Sequence, residues 1–194
     1  MRKTRPPKEI ERQFNFLETN KEITKKAIQI YNKAKKQELH LRRGKTVTIA
    51  AAIYTAYKIH KQPRTLHEIS EASGITKKEI GKQYRHITKK LNIKIPILTP
   101  QDYVDRFATL LNLSKNAQLK AEEIIRYIKK EDTTGKKPES ITAAVLYITA
   151  LINEEKRTQK EISDATGISQ VTIRNRYKEL LNNLDLEKER NQRK

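Results

Sequence analysis

The sequence predicts an all-α protein that consists of two tandem five-helix repeats, each ending in a helix-turn-helix. The first observation is a self-match at an offset of about 93 residues, where residues 64–80 read RTLHEISEASGITKKEI and residues 157–173 read RTQKEISDATGISQVTI. The second is that apolar residues recur at helical spacing, with no competing strand alternation. The third is a Thr-x-x-Glu capping box at residues 65–68, with Gly74 after it. A duplicated helical unit accounts for all three observations.

Apolar spacing predicts the first three helices of the first repeat. Stripes at residues 10–17 and 23–34 recur at helical intervals and predict the first and second helices. The third helix is predicted over residues 46–60, with three consecutive alanines at residues 50–52. Because small side chains let neighbouring helices approach closely, we expect this third helix to be the buried central element.

The fourth and fifth helices of the first repeat form the predicted helix-turn-helix. The fourth begins at Thr65 and ends at Gly74, and a second capping box at residues 76–79 begins the fifth. Two short helices joined around a glycine are typical of a motif that presents its second helix to the major groove of DNA.

The second repeat follows the same plan, and its helices are predicted to begin near Gln101, Ser114, Pro138, Thr158 and Gln170. Proline at a first-turn position fits the helices at 101 and 138.

Two prolines punctuate the only convincing linker. The predicted organisation is a basic tail at residues 1–8, a first repeat at 9–95, a linker at 96–100, a second repeat at 101–186 and a charged tail at 187–194.

The charge balance points to a polyanionic partner. Lys and Arg number 42 against 23 Asp and Glu, which gives a formal net charge of +19. Nucleic acid is the first expected partner, an anionic membrane surface is the second, and a merely solvated surface is the alternative. The absence of cysteine excludes disulfides, thiolate nucleophiles and cysteine zinc sites. Without a spanning apolar run or a signal peptide, we expect an intracellular protein that does not enter a membrane.

The last helix of the second repeat has one apolar face and one polar face. The apolar face, which we expect to be buried, holds Ile173, Tyr177, Leu180 and Leu184. The opposite face is predicted to hold Val171, Arg174, Asn175 and Lys178. Arg can bond guanine through two donors, Val can contact a thymine methyl, and Lys can reach phosphate. Ser169 is predicted to cap this helix and to leave backbone N–H groups for a phosphate.

The matching helix of the first repeat has a different outward face. Its predicted buried residues are Ile80, Tyr84, Ile87 and Leu91, and its predicted outward residues are Lys78, Gly81, Lys82 and Arg85. Glycine stands where the second repeat has Arg174, so no side chain is available there to contact a base. We therefore predict that the first helix-turn-helix binds DNA backbone or an acidic partner, while the second recognises sequence. The alternative is that both are solvated basic faces.

The loops before the two central helices are also basic, with Arg42, Arg43, Gly44 and Lys45 in one and Gly135, Lys136 and Lys137 in the other. Glycine permits close backbone approach, and neighbouring cations suit phosphate or a minor groove. A turn with solvated lysines fits these loops equally well.

The motifs RTLHEIS…GITKKEIGKQYR and KRTQKEIS…GISQVTIRNRYKEL resemble the cyclin-fold core of archaeal transcription factor B over about residues 10–186. The resemblance implies two cyclin-like repeats and a core that binds promoter double-stranded DNA already bound by the TATA-binding protein. Its second helix-turn-helix would recognise the element upstream of the TATA box. The implied base contacts are Val171 and Arg174, supported by Thr172 and Asn175. The implied backbone contacts are Arg157, Ser169, Gln170, Arg176, Lys178, Lys136 and Lys137.

In the first repeat, the resemblance implies two further contact regions. The loop residues Arg43, Gly44 and Lys45 match the family's minor-groove loop, although lysine stands where the family has arginine. The basic face would meet phosphates downstream of the TATA box and an acidic part of the TATA-binding protein. This basic face comprises Lys77, Lys78, Lys82 and Arg85.

The family also carries an N-terminal zinc ribbon, which a sequence without cysteine cannot form. We expect this chain to be either a core fragment or a reduced paralogue, and we do not expect it to recruit RNA polymerase alone. We expect a monomer in the cytoplasm, associated with the nucleoid, and no cofactor.

An enzyme is not expected, because no nucleophile or phosphate-loop pattern occurs and the four histidines lack metal-ligand spacing: His40, His60, His67 and His86. A cyclin-like protein-interaction module and a helix-turn-helix repressor independent of the TATA-binding protein are the alternatives to a transcription initiation factor.

Overall fold

The computed structural model describes the backbone of residues 20–128 and 133–192, and side chains as far as residue 182. Every regular element in these ranges is a helix. The helices are α1 Lys21–Lys36, α2 Lys45–Ile59, α3 Leu66–Ser73, α4 Lys77–Lys90, α5 Gln101–Leu110, α6 Lys115–Tyr127, α7 Pro138–Ile152, α8 Gln159–Thr166 and α9 Gln170–Gln192. The predicted helix at residues 10–17, the tail at residues 1–8 and the side chain of Leu184 lie outside the described residues. None of the described helices is both long and apolar enough to span a membrane.

The chain divides into two compact units, with the boundary between Leu98 and Thr99. This boundary falls inside the predicted linker at residues 96–100, and residues 93–99 carry no helix. Each unit has a central helix of its own, so each can be described as a separate body.

The first unit is built around α2, as its small residues predict. Ten of its fifteen residues are buried, including all three alanines of residues 50–52. Helices α1, α3 and α4 pack against it. Tyr54 of α2 meets Tyr84 of α4 edge to face, with ring centroids 5.0 Å apart. A helix that is apolar on nearly every side has to lie in the interior, which explains its position.

The second unit repeats this packing around α7. Ala143 and Ala144 are fully buried, and α5, α6, α8 and α9 pack against the helix. Tyr147 and Tyr177 have the same edge-to-face geometry as the first pair, at 5.0 Å and 77°. The core positions of the two repeats are therefore matched in three dimensions as well as in sequence.

Helix caps fix both helix-turn-helix motifs. The capping boxes predicted at Thr65 and Thr76 are present, and Thr158 forms a third with Glu161. Gly74 and Gly167 end α3 and α8 in the left-handed conformation, at φ 69° and 71°. Because a Cβ disfavours this conformation, glycine is the residue suited to the turn. The two motifs thus share one backbone plan.

Candidate nucleic-acid interface

The outward face of α9 has the residues that its sequence predicts. Ile173 is fully buried, whereas Val171 is 62% exposed. Arg174, Asn175 and Lys178 are exposed on the same side of the helix. An aliphatic side chain, a guanidinium, an amide and an ammonium are therefore all free to meet a partner. This combination can contact base edges and phosphates at once.

The first turn of α9 is held by side chains of its own. Ser169 Oγ accepts a hydrogen bond from the backbone N–H of Thr172 at 3.2 Å, and the two hydroxyl oxygens lie 2.8 Å apart. This confirms the predicted cap. Thr172 is half-buried, whereas Ser169 and Gln170 are exposed.

Arg157 differs from its expected role as a phosphate contact. Its guanidinium donates to the carbonyls of Leu111 at 2.9 Å, Asn112 at 2.9 Å, Glu155 at 3.1 Å and Lys156 at 3.2 Å. Four of the five N–H groups of an arginine are thereby used. We therefore assign Arg157 to joining the loop after α5 to the loop before α8, in place of the predicted DNA contact.

Glu155 strengthens the same junction. Its carboxylate accepts the backbone N–H of Ser114 at 2.8 Å and also the Ser114 hydroxyl. The side-chain hydrogen bond from Ser114, followed by the backbone one, lowers the pKa of Glu155 below its ordinary value. Neither contact was predicted, because each joins residues far apart in the sequence.

Arg176 and Lys136, both predicted phosphate contacts, meet on one carboxylate. Lys136 Nζ lies 2.8 Å from Glu179 Oε2, and the Arg176 guanidinium contacts the same oxygen. The hydrogen bond from Lys136 is the largest cause that lowers the pKa of Glu179, so the carboxylate is charged at neutral pH. Lys137, next in the loop, is exposed. The two cations converge as a phosphate site requires, but an internal anion already contacts them.

The first helix-turn-helix has a basic surface, with one correction. The exposed cations are Lys77, Lys78, Lys82 and Arg85, as predicted. Gly81 was predicted to face outward, but it is buried. A Cβ placed on it would lie 3.5 Å from Leu66 Cδ1 and 3.7 Å from the Arg85 guanidinium. Leu66 of α3 covers this position, which a helical-wheel argument cannot detect.

The loop before α2 exposes Gly44 and Lys45, while Arg43 is half-buried. Gly44 has φ 87°, a conformation that requires glycine, and a Cβ there would meet nothing within 4 Å. The exposed backbone at Gly44 can therefore approach a partner closely. This arrangement is compatible with the predicted minor-groove contact.

Gln83 has a structural role that was not predicted from the sequence. It is fully buried on α4, and its amide donates to the Leu39 carbonyl at 2.9 Å and to the Thr48 hydroxyl at 3.0 Å. These bonds join α4 to α2 and to the segment before the 42–45 loop. Its spacing from Ile80 and Ile87 places it on their buried face, which is the signal that could have identified it.

The four histidines are half-buried at separate places. Within the described ranges, no group of three or more His, Asp or Glu residues could hold a metal ion.

Comparison with known proteins identifies the repeats. The transcription factor TFIIB repeat matches residues 1–90 and again residues 93–183. A transcription initiation factor IIB of Methanothrix thermoacetophila is 40% identical over 92% of this chain and 53% of its own length. That of Ignicoccus hospitalis is 42% identical over 92% of this chain and 58% of its own length. A viral cyclin from herpesvirus saimiri aligns with 88% of this chain and 80% of its own, at 16% identity and a TM-score of 0.36.

The chain spans about half the length of the curated relatives it matches. The family match covers both helical units, so the predicted pair of tandem repeats is confirmed, as is the all-α class over the residues that the structure describes. The chain belongs to the transcription factor TFIIB repeat family.

Proposed function

We propose that this chain is the promoter-binding core of a transcription initiation factor, which binds DNA together with the TATA-binding protein. The observation that carries the proposal is the exposed face of α9. This face presents Val171, Arg174, Asn175 and Lys178, while Ile173 on the opposite face is buried in the core. The relatives at about 40% identity are named transcription initiation factors, which supports the same role. On this proposal the activity is binding and not catalysis.

The two repeats divide the work of binding. In the second, α9 enters the major groove, Val171 and Arg174 contact base edges, and Asn175 supports them. Lys178 and Lys137 contact phosphates. In the first, four exposed cations on α4 contact phosphates or an acidic surface of the TATA-binding protein, and the Gly44 loop approaches a minor groove. A complex built from one sequence-specific contact and one nonspecific contact has a direction on DNA.

Replacement of Arg174 tests the base contact. Arg174→Ala removes one two-donor contact with a base, so it should cost about 1–3 kcal/mol on the preferred site and relax preference at one base pair. The measurement is competitive binding to a set of duplexes that carry every base at each upstream position. An unchanged ranking of these duplexes would show that Arg174 contacts no base.

Lys82→Ala is the matched control in the first repeat. On this proposal the exposed cation contacts no base, so all sequences should weaken alike, and a phosphate contact at Lys82 should lower the salt slope by about one. Loss of preference at a particular base would refute the division between the repeats.

Dependence on the TATA-binding protein is tested by a footprint on TATA-containing DNA with and without that protein. We expect an ordered footprint only when both proteins are present. A full footprint from this chain alone would instead indicate an independent repressor, and no footprint in either case would favour a protein-interaction module.

A further inference from the structure

Three charges meet where the loop before α7 approaches α9. Lys136 belongs to the loop, Arg176 and Glu179 belong to the helix, and Glu179 Oε2 contacts both cations. The cations are each 25% exposed and the carboxylate is 43% exposed, so DNA has access to all three. One anion against two cations leaves the cluster with a net positive charge of about one.

The first repeat lacks this arrangement. At the matching positions it has Arg43, Gln83 and His86, so the carboxylate is replaced by an imidazole. Gln83 is buried and uncharged, and it forms hydrogen bonds inside the unit. At these matched positions, two cations and one carboxylate therefore occur only in the repeat that, on the proposed function, recognises sequence.

We propose that Glu179 competes with DNA phosphate for Lys136 and Arg176 and so restrains binding to DNA that lacks the preferred sequence. This inference rests on the proposed function. A carboxylate and a phosphate present similar charged oxygen pairs to a cation, and a phosphate has to displace Glu179 before it can contact either one. In a specific complex, base contacts fix the register of α9. Nonspecific binding depends almost wholly on phosphates, so the restraint acts most strongly there.

The size of the effect follows from the exposure of the pairs. At about 0.2–1 kcal/mol for each partly exposed ion pair, the two pairs together correspond to about 2- to 30-fold in affinity. Each freed cation that contacts a phosphate adds about 0.9 to the slope of log affinity against log salt. Glu179→Gln should therefore raise affinity for random-sequence DNA within that range and steepen its slope by about one to two.

A matched control separates this effect from a change of overall charge. Glu123→Gln on α6 breaks an exposed pair with Lys120, 2.8 Å apart, and alters net charge by the same amount. The Glu123 side chain is 47% exposed, close to the 43% of Glu179. We expect this variant to change affinity for random DNA by less than about twofold.

The experiment measures binding of the full chain to a random duplex and to its preferred promoter at several salt concentrations. Glu179→Gln should gain more affinity for the random duplex than for the promoter. When Lys136 and Arg176 have already been replaced by Gln, adding Glu179→Gln should give no such gain. A gain equal to that of Glu123→Gln, a loss, or a gain that survives the added substitutions would overturn the inference. Arg174→Ala in the same assay reports separately on the proposed function, and circular dichroism verifies that each variant is folded.

Discussion

Replacement of Arg157 should destabilise the second unit and leave DNA contacts intact. The structure gives this side chain four carbonyl acceptors on two loops, of Leu111, Asn112, Glu155 and Lys156. Arg157→Ala removes all four donors while the carbonyls stay in place. The loops before α6 and α8 then keep the Glu155–Ser114 hydrogen bonds and lose those of Arg157.

The magnitude depends on which carbonyls water can reach. Those of Asn112 and Lys156 are exposed in these bonds, so water replaces the lost donor at little cost. The bonds to Leu111 and Glu155 are partly buried. At about 1–1.5 kcal/mol for each partly buried bond, the loss is about 2–3 kcal/mol of the unfolding free energy.

Hydrogen exchange of backbone amides is the suitable assay because it resolves the two units. Amides in α5, α6 and α7 should exchange about 30- to 150-fold faster, while amides in α2 of the first unit serve as an unchanged internal reference. Arg157→Lys is the control for charge, and we expect it to be nearly as damaging because an ammonium cannot reach all four carbonyls. Full protection in Arg157→Lys would refute the reasoning. Intact protection in Arg157→Ala together with a reduced salt slope of DNA binding would also refute it. That result would indicate that Arg157 contacts a DNA phosphate, as the sequence predicts.

Two further predictions concern stability. Gly81→Ala should stabilise the first unit by about 0.5–1 kcal/mol, since the position is helical and the new methyl meets Leu66 at an ordinary 3.5 Å. Gly74→Ala should instead destabilise this unit, because φ at Gly74 is +69°. Urea unfolding should show a higher unfolding free energy for Gly81→Ala and a lower one for Gly74→Ala. Hydrogen bonds from Ser114 lower the pKa of Glu155, and those from Thr158 lower the pKa of Glu161, below the ordinary 4.5. As pH falls, these carboxylates therefore take up protons in the unfolded chain before they do so in the folded one. The unfolding free energy should fall as pH drops below about 4.5 towards the folded pKa. Melting temperatures measured on either side of that pH should show a decline that Glu155→Gln makes shallower.

Local chemistry made much of the fold predictable. Capping boxes at Thr65 and Thr76 and glycine at Gly74 act within a few residues, so the sequence alone determines where those helices begin and end. The alanine-rich centre of α2 is likewise recognisable, because a helix that is apolar on nearly every side is buried. The exposed face of α9 follows from the same periodicity once Ile173 is placed in the core.

Contacts between distant residues could not be predicted. A helical wheel placed Gly81 outward, but Leu66 of another helix covers it. A basic residue in a basic chain is easily assigned to phosphate, yet Arg157 bonds to carbonyls about 45 residues away. Such partners depend on tertiary packing, which spacing along one helix does not contain.

Matched positions in the two repeats show how far a duplicated backbone constrains its side chains. Arg64 and Arg157 align, but Arg64 lies 4.9 Å from the centre of the Tyr57 ring and pairs with Glu68, whereas Arg157 bonds to backbone carbonyls. Ala150 stands at the position that matches Tyr57, so the ring that Arg64 contacts has no counterpart at that position. Backbone, caps and core thus repeat, while each polar side chain is set by its neighbours. For this reason Arg157 can join two loops of the second unit without disturbing the fold that both units share.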